Sequence, residues 1–231
     1  AILARAMGVP AVMGLGQVPL NFLNHKELFV DGYSGQVVVS PEALAREEFL
    51  QLIAEEETLS QKIASQAEAP STTQDGCDMT LLVNAGLSAE LEMDNNKEGA
   101  GVGLYRTEIP FMLRERFPSE QEQYELYRAI LNAHPEKEMT MRTLDVGGDK
   151  PLSYFPINEE NPFLGWRGIR LTLDHPDIFL VQVRAMLRAS IGLHNLHILL
   201  PMISTLSEID DAKRLIKQAF HEVKEEAVQA N

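Results

Sequence analysis

Cysteine is nearly absent. The 231 residues contain one, Cys77, so an internal disulfide is excluded and the chain suits a reducing compartment. Positive charge is scarce as well: 20 Lys and Arg face 34 Asp and Glu, a formal net charge of −14. That balance argues against nucleic-acid and anionic-membrane partners, since both require a basic face. Long apolar runs are missing, and none approaches the roughly 20 residues of a membrane span. Low-complexity tracts and internal repeats are missing too. The opening AILARAMG carries no basic leader, so no secretory signal and a cytoplasmic location are expected. A hydrophobic share of 45% is enough for one or two packed domains. Any anion bound here must be held by a few local cations working against the global field.

Along the chain, Ala1–Met7 reads as helical, with Gly8 and Pro10 as stop signals. No capping residue precedes it, and a helix needs partners for its first N–H groups, so the chain is expected to begin inside an interrupted element. ELFVDGYSGQVVVS (27–40) places turn residues between two apolar arms, a hairpin pattern. Ser40 and Pro41 read as N-cap and first helical residue of an amphipathic segment to about Ala69, with Leu44, Phe49, Ile53, Leu59 and Ile63 on its apolar side. EAPSTTQDG (68–76) ends it and is placed at a domain boundary. The expected domains are 1–40, 41–76 and 77–231.

Beyond Cys77, strands and helices alternate. MTLLVNA (79–85), VGLYR (102–106), MTMRTLD (139–145) and LHILLPM (196–202) read as short parallel strands covered on both faces. Helix starts are predicted at Ser88, at Ser119 with Glu122 as a capping box, at Asp174 with Pro176, and at Thr205 with Glu208. Strand-then-helix repetition predicts an α/β fold with a parallel sheet.

GAGVG (99–103) has the look of a dinucleotide fingerprint, but it precedes a strand instead of following one, and the nucleotide reading is rejected. Within GVGLYRTEIPFM (101–112), Arg106 and Glu108 interrupt an apolar run, where a buried charge needs an opposite charge. Arg106 ends the second predicted strand, Arg142 lies in the third and Asn84 ends the first. Ligands of barrels and open α/β sheets bind at such C-terminal strand ends, and arginine's planar fork matches phosphate and carboxylate oxygens. The plainer reading pairs Arg106 with Glu108 and Arg142 with Asp145 as internal ion pairs, and spacing alone does not separate the two. In DVGGDKP (145–151) the glycines could bring backbone N–H groups to an anion and Lys150 adds a point charge, though an ordinary turn explains a Gly-Gly pair equally well. Arg167 adds a third guanidinium beside Trp166, the only tryptophan, or else a surface arginine packed on that ring. The six histidines form no metal pattern, and Cys77 has no basic neighbour to activate it.

In order, GVGLYRTEIPFM, RTLDVGGDKP, ENPFLGWRGIR and ILLPMIS, with the opening AILARAMGVPAVMG, span nearly the whole chain. This chain resembles enzyme I of the bacterial phosphoenolpyruvate phosphotransferase system. The wording of LYRTEIPFMLRERFPSEQEQ is closer to the nitrogen-related branch than to the sugar-transport branch. Pyruvate phosphate dikinases and phosphoenolpyruvate synthases, which share the RTE-type arginine, rank second, and a non-catalytic interaction or sensor module is the rival from another class. The resemblance implies the N-terminal half of a (βα)8 TIM barrel, preceded by a linker helix and a small β-rich remnant of a phosphohistidine domain. It implies phosphoryl transfer from phosphoenolpyruvate to a histidine and on to a small phosphocarrier protein, with Arg106, Arg142 and Arg167 near the substrate; the reading of the strand ends and the Gly-Gly loop adds Asn84 and Lys150 as substrate-binding candidates. The phosphoacceptor histidine is expected just before Ala1, so no catalytic residue is assigned within the chain. Magnesium is expected on ligands beyond its C-terminus, with no metal ligand here. A homodimer is expected, and the chain alone is expected not to turn over.

Overall fold

A computed structural model describes residues 4, 9–16, 18–66, 71–86, 101–148, 150, 152–161 and 163–229. The helices predicted over Ala1–Met7 (Ala4 apart) and from Ser88 lie outside these residues. The described residues divide after Asp78 into two compact units.

The first unit contains α1 (Leu20–Leu23), the antiparallel hairpin of β1 (Leu28–Asp31) and β2 (Gln36–Val39), and α2 (Ala43–Gln66). The hairpin forms because Asp31 closes its turn: its carboxylate accepts from the backbone N–H groups of Tyr33 and Ser34 and from the Ser34 hydroxyl, the local side-chain-to-backbone bonding that favours Asp in turns. Ser40 does not cap the next helix. It sits at φ 50° and donates its N–H to the Glu27 carbonyl at 2.8 Å, extending the hairpin, and the helix starts three residues later. α2 is held to the hairpin by Phe49 stacked on Phe29 at 4.9 Å and by Arg46 on Glu27 at 3.0 Å. The rest of its apolar stripe, including Leu44, Leu59 and Ile63, is exposed.

The second unit is built on four parallel strands in sequence order: β3 (Val83–Ala85), β4 (Gly101–Arg106), β5 (Glu138–Arg142) and β6 (Leu196–Leu199). Between them run α3 (Glu108–Met112), α4 (Glu120–Ala133), α5 (Ile169–Asp174) and α6 (Pro176–Ala189), and α7 (Leu206–Gln229) follows β6. β5 alternates cleanly. Met139 and Met141 are fully buried, while Thr140 and Arg142 are only partly so, the period-two signature of a sheet with two unlike faces. The buried face packs Val102, Tyr105, Met139 and Met141 against Tyr127, Ile130 and Leu131 of α4 and Ala185, Met186 and Ala189 of α6. The prediction of cover on both faces is therefore corrected. Among the described residues helices cover one face, and the other carries Thr140, Arg142, His197 and Leu199, with His197 and Leu199 exposed.

A register shift between Val102 and Tyr105 keeps both of those residues on the helix-covered face. Gly101 at the strand's entry takes φ +146°, and a Cβ there would lie 2.3 Å from the Glu138 carbonyl oxygen. Only glycine fits, a steric role with no nucleotide in it. The capping box of α4 is present, Ser119 and Glu122 bonding each other's backbone N–H, and Thr205 and Glu208 do the same before α7. Asp174 does not open α6. It ends α5, and His175 stands at the α6 N-cap with Pro176 at the first helical position. Past the predicted strand 102–106, the apolar run EIPFM is the helix α3.

Candidate functional site

At the C-terminal ends of β4 and β5, Arg106 and Arg142 are direct register partners, so their side chains leave the same face of the sheet. Arg142 meets two carboxylates: its NH2 group donates to Glu108 Oε1 at 2.5 Å and its NH1 group lies 3.2 Å from Asp145 Oδ2. Lys150 Nζ donates to the same two, Glu108 Oε1 at 2.9 Å and Asp145 Oδ2 at 3.3 Å. Arg167 NH2 donates to Asp145 Oδ1 at 3.1 Å. Glu108 and Asp145 are almost fully buried, and the side chains of Arg142 and Lys150 are 15% and 18% exposed. Arg106 is joined to neither carboxylate. Its buried Nε has no hydrogen-bond partner among the described residues, and the same holds for Arg142 Nε and Glu108 Oε2.

Three pieces of the fold place these groups. Gly86, just after β3, leaves room for the Arg106 guanidinium, since a Cβ there would lie 3.1 Å from its NH2 atom and 2.9 Å from Ile109 Cγ1. A buried polar network ties the strand ends together. Gln182 on α6 accepts from the Leu144 N–H at 2.8 Å and donates to the Thr107 and Tyr127 hydroxyls, each at 3.1 Å, while the Thr107 hydroxyl donates to the Arg142 carbonyl at 2.7 Å. The long connection after β5, which carries Asp145, Lys150 and Arg167, is anchored by its own apolar cluster of Leu144, Val146 and Leu152 with Phe111 and Leu171.

Electrostatically the cluster is unbalanced. Burial pushes the Asp145 carboxyl up, but Lys150, Arg142 and Arg167 outweigh it and hold the group below its ordinary range. Among the described residues, four cationic side chains against two carboxylates leave a formal excess of two positive charges, in a chain of net charge −14. This arrangement suits a small anion with two or more negative charges, received by preorganised forks.

The expected residues are thus placed as follows. Arg106, Arg142, Lys150 and Arg167 all lie at this end of the sheet. Asn84 pairs with Leu104 in register, one pleat repeat before Arg106 on the same face, exposed and outside the cluster's hydrogen bonds. The pairing of Arg106 with Glu108 is corrected: Glu108 goes to Arg142 and Lys150. Arg167 is no surface arginine, being 5% exposed, and the ring it faces is Phe163 at 5.8 Å, whereas the Trp166 indole donates to Asp174. Gly147 closes a turn by accepting from the Lys150 N–H at 3.0 Å. Gln182 was not singled out in the sequence, although a glutamine inside the apolar run DIFLVQVRAML is the kind of interruption that flags Glu108. A groove of about 370 Å³ lined by Leu173, Pro176, Leu180, Asp211, Arg214 and Leu215 lies among the helices and contains no cluster residue. Among the described residues no group of three His, Cys, Asp or Glu side chains could hold a metal, and no helix is long and apolar enough to cross a membrane.

Residues 60–231 match the family pattern described as PEP-utilising enzyme, PEP-binding domain, and residues 1–35 match that of the PEP-utilising enzyme, mobile domain. The chain is 51% identical over 225 residues to the phosphoenolpyruvate-dependent phosphotransferase system protein of Escherichia coli, covering 97% of this chain and 30% of that protein. It is 50% identical over 225 residues to the Salmonella typhimurium protein of the same name, with the same coverage. Against the phosphoenolpyruvate-protein phosphotransferase of Staphylococcus carnosus the identity is 39% over 227 residues, 98% of this chain and 39% of that protein. The chain therefore spans between about three tenths and two fifths of these relatives' length.

Proposed function

The chain belongs to the PEP-utilising enzymes, and from that premise we propose that the open end of its parallel sheet receives phosphoenolpyruvate. In the whole protein this binding serves transfer of the phosphoryl group to a histidine and onward to a small phosphocarrier protein. The observation that carries the reading is the register pairing of Arg106 with Arg142 in a cluster whose cations outnumber its carboxylates. Arg106, which has no carboxylate partner among the described residues, grips the phosphate. Arg142 and Lys150, already fixed by Glu108 and Asp145, neutralise charge on the bridging oxygen and the acid group. When the P–O bond to the enol oxygen breaks, the phosphoryl passes to an imidazole nitrogen, and the enolate left behind takes up a proton to become pyruvate. Such a loose transition state demands positioning and charge neutralisation more than covalent help, and fixed cations supply both without reorganising at the moment of reaction.

Magnesium does not fit the described residues of the cluster, because Glu108 Oε1 and both Asp145 oxygens are taken by cations. It is assigned to the whole protein only, and no step here runs through it. The acceptor histidine is assigned to the segment preceding Ala1, and this chain alone is inactive in transfer. The architecture we infer is a half (βα)8 barrel over 77–231, a linker helix over 41–76 and a remnant of the phosphohistidine domain over 1–40. Strand order that follows the sequence supports the first, and the match of residues 1–35 to the mobile domain supports the last. The outer strands β3 and β6 are edges among the described residues, and unpaired parallel edges invite a partner chain. Homodimerisation follows, in a cytoplasmic protein of the nitrogen-related branch, and a purely monomeric gel-filtration profile at tens of micromolar would count against the dimer.

Calorimetric titration of phosphoenolpyruvate tests the site. The chain binds it, and Arg106→Ala weakens binding by about a hundredfold, the loss of a charge-assisted fork. The melting temperature stays unchanged, since Arg106 has no carboxylate partner among the described residues. No calorimetric binding of phosphoenolpyruvate and no thermal shift at millimolar concentration, or an affinity that Arg106→Ala leaves unchanged, would end the reading.

A further inference from the structure

Glu108 is among the most buried members of the cluster and the less satisfied of its two carboxylates. Its side chain is 1% exposed, and one oxygen, Oε1, takes both Arg142 at 2.5 Å and Lys150 at 2.9 Å. The other, Oε2, is buried with no hydrogen-bond partner among the described residues. Asp145, by contrast, uses both oxygens, Oδ1 for Arg167 and Oδ2 for Arg142 and Lys150. A carboxylate present only to strengthen the fold would be expected to satisfy both oxygens, because an unpaired buried acceptor opposes folding. Glu108 also sits two residues beyond Arg106, at the start of α3, yet leaves that arginine alone and spans to the next strand.

We propose that Glu108 is a positioning and charge-selecting residue: it locks Arg142 and Lys150 into one geometry and competes with any anion that addresses those two cations alone. This rests on the assignment of the cluster as the phosphoenolpyruvate site. An anion that reaches only Arg142 and Lys150 must displace or repel Glu108 and gains little. A ligand with anionic groups at two ends also reaches Arg106, which no carboxylate of the described residues pairs with, and that extra contact offsets the repulsion. Selectivity then comes from a built-in penalty as much as from attraction. The ligand class is a phosphate monoester carrying a second acid group, and the disfavoured class is compact oxyanions such as inorganic phosphate.

The test is calorimetric titration of phosphoenolpyruvate and, separately, inorganic phosphate into the wild-type chain, Glu108→Gln and Glu108→Asp. Glu108→Gln removes one negative charge, so inorganic phosphate binds about tenfold tighter and with a steeper ionic-strength dependence, the effect of a unit charge in a partly screened site. Phosphoenolpyruvate gains less than about threefold, because Arg142 and Lys150 are no longer held, and the ratio of the two affinities narrows. Glu108→Asp keeps the charge but shortens the reach, so inorganic phosphate affinity stays within about twofold while phosphoenolpyruvate weakens. It remains the informative arm if Glu108→Gln does not fold. Equal shifts for both ligands in the variants would overturn the proposal and reduce Glu108 to an internal ion pair, leaving the site assignment intact. Wild-type protein that binds neither ligand would overturn the site assignment and this proposal together.

Discussion

Replacing Asp145 by asparagine probes the charge balance directly. The carboxylate is 6% exposed and faces three cations, Arg167 at 3.1 Å, Arg142 at 3.2 Å and Lys150 at 3.3 Å. Removing one side of a buried pair destabilises a protein by about 3–5 kcal/mol, because the partner charge is left uncompensated. The amide oxygen of asparagine still accepts one hydrogen bond, and the partial exposure of Arg142 and Lys150 admits some screening, so the lower end applies, about 3 kcal/mol. For a chain of this length that lowers the melting temperature at pH 7 by about 6–12 °C. The pH dependence is fixed in sign. The folded carboxyl titrates below its ordinary value of 3.8, since the three cations outweigh burial. Its contribution is complete above that value and is lost as pH falls through the lower folded one. Melting curves of wild type and variant, followed by circular dichroism at 222 nm from pH 7 downward, should therefore converge in acid. A gap under about 2 °C at pH 7, or one of undiminished size at pH 3, would refute the view that Asp145 is the cluster's charged anchor.

Gly86→Ala should displace the Arg106 guanidinium, which lies 3.1 Å from the added methyl position, and weaken phosphoenolpyruvate binding about tenfold or more with an unaltered far-ultraviolet spectrum; unchanged affinity would show that Arg106 does not need its present seat. Gln182→Met, nearly isosteric, strips partners from the Leu144 N–H and from the Thr107 and Tyr127 hydroxyls, so urea denaturation should report a loss of about 2–4 kcal/mol, and a loss under about 1 kcal/mol would remove Gln182 as the tie between strand ends.

Much of the second unit could be read from residue order because its signals are local. The Ser119–Glu122 and Thr205–Glu208 boxes each depend on residues within four positions of one another. Where the readings strayed, a neighbour in space had overruled a neighbour in sequence. Ser40 has the chemistry of an N-cap, yet its N–H is claimed by Glu27 across the hairpin. Arg167 beside Trp166 looks like a surface pair, yet Asp145 draws it inside while the indole turns to Asp174.

Residue order alone settled that strands and helices alternate, that arginines stand on two consecutive strands, and that the chain as a whole carries a surplus of acid. It could do so because patterning, capping and net charge are properties of the chain's neighbours along its length. The three-dimensional arrangement decided which carboxylate restrains which cation. Glu108 reaches Arg142 across 34 residues and Lys150 across 42, and Gln182 reaches Thr107 across 75. Contacts of that span exist only once the parallel register has closed the loops between them, and that closure leaves Arg106 as the cation with no carboxylate among the described residues.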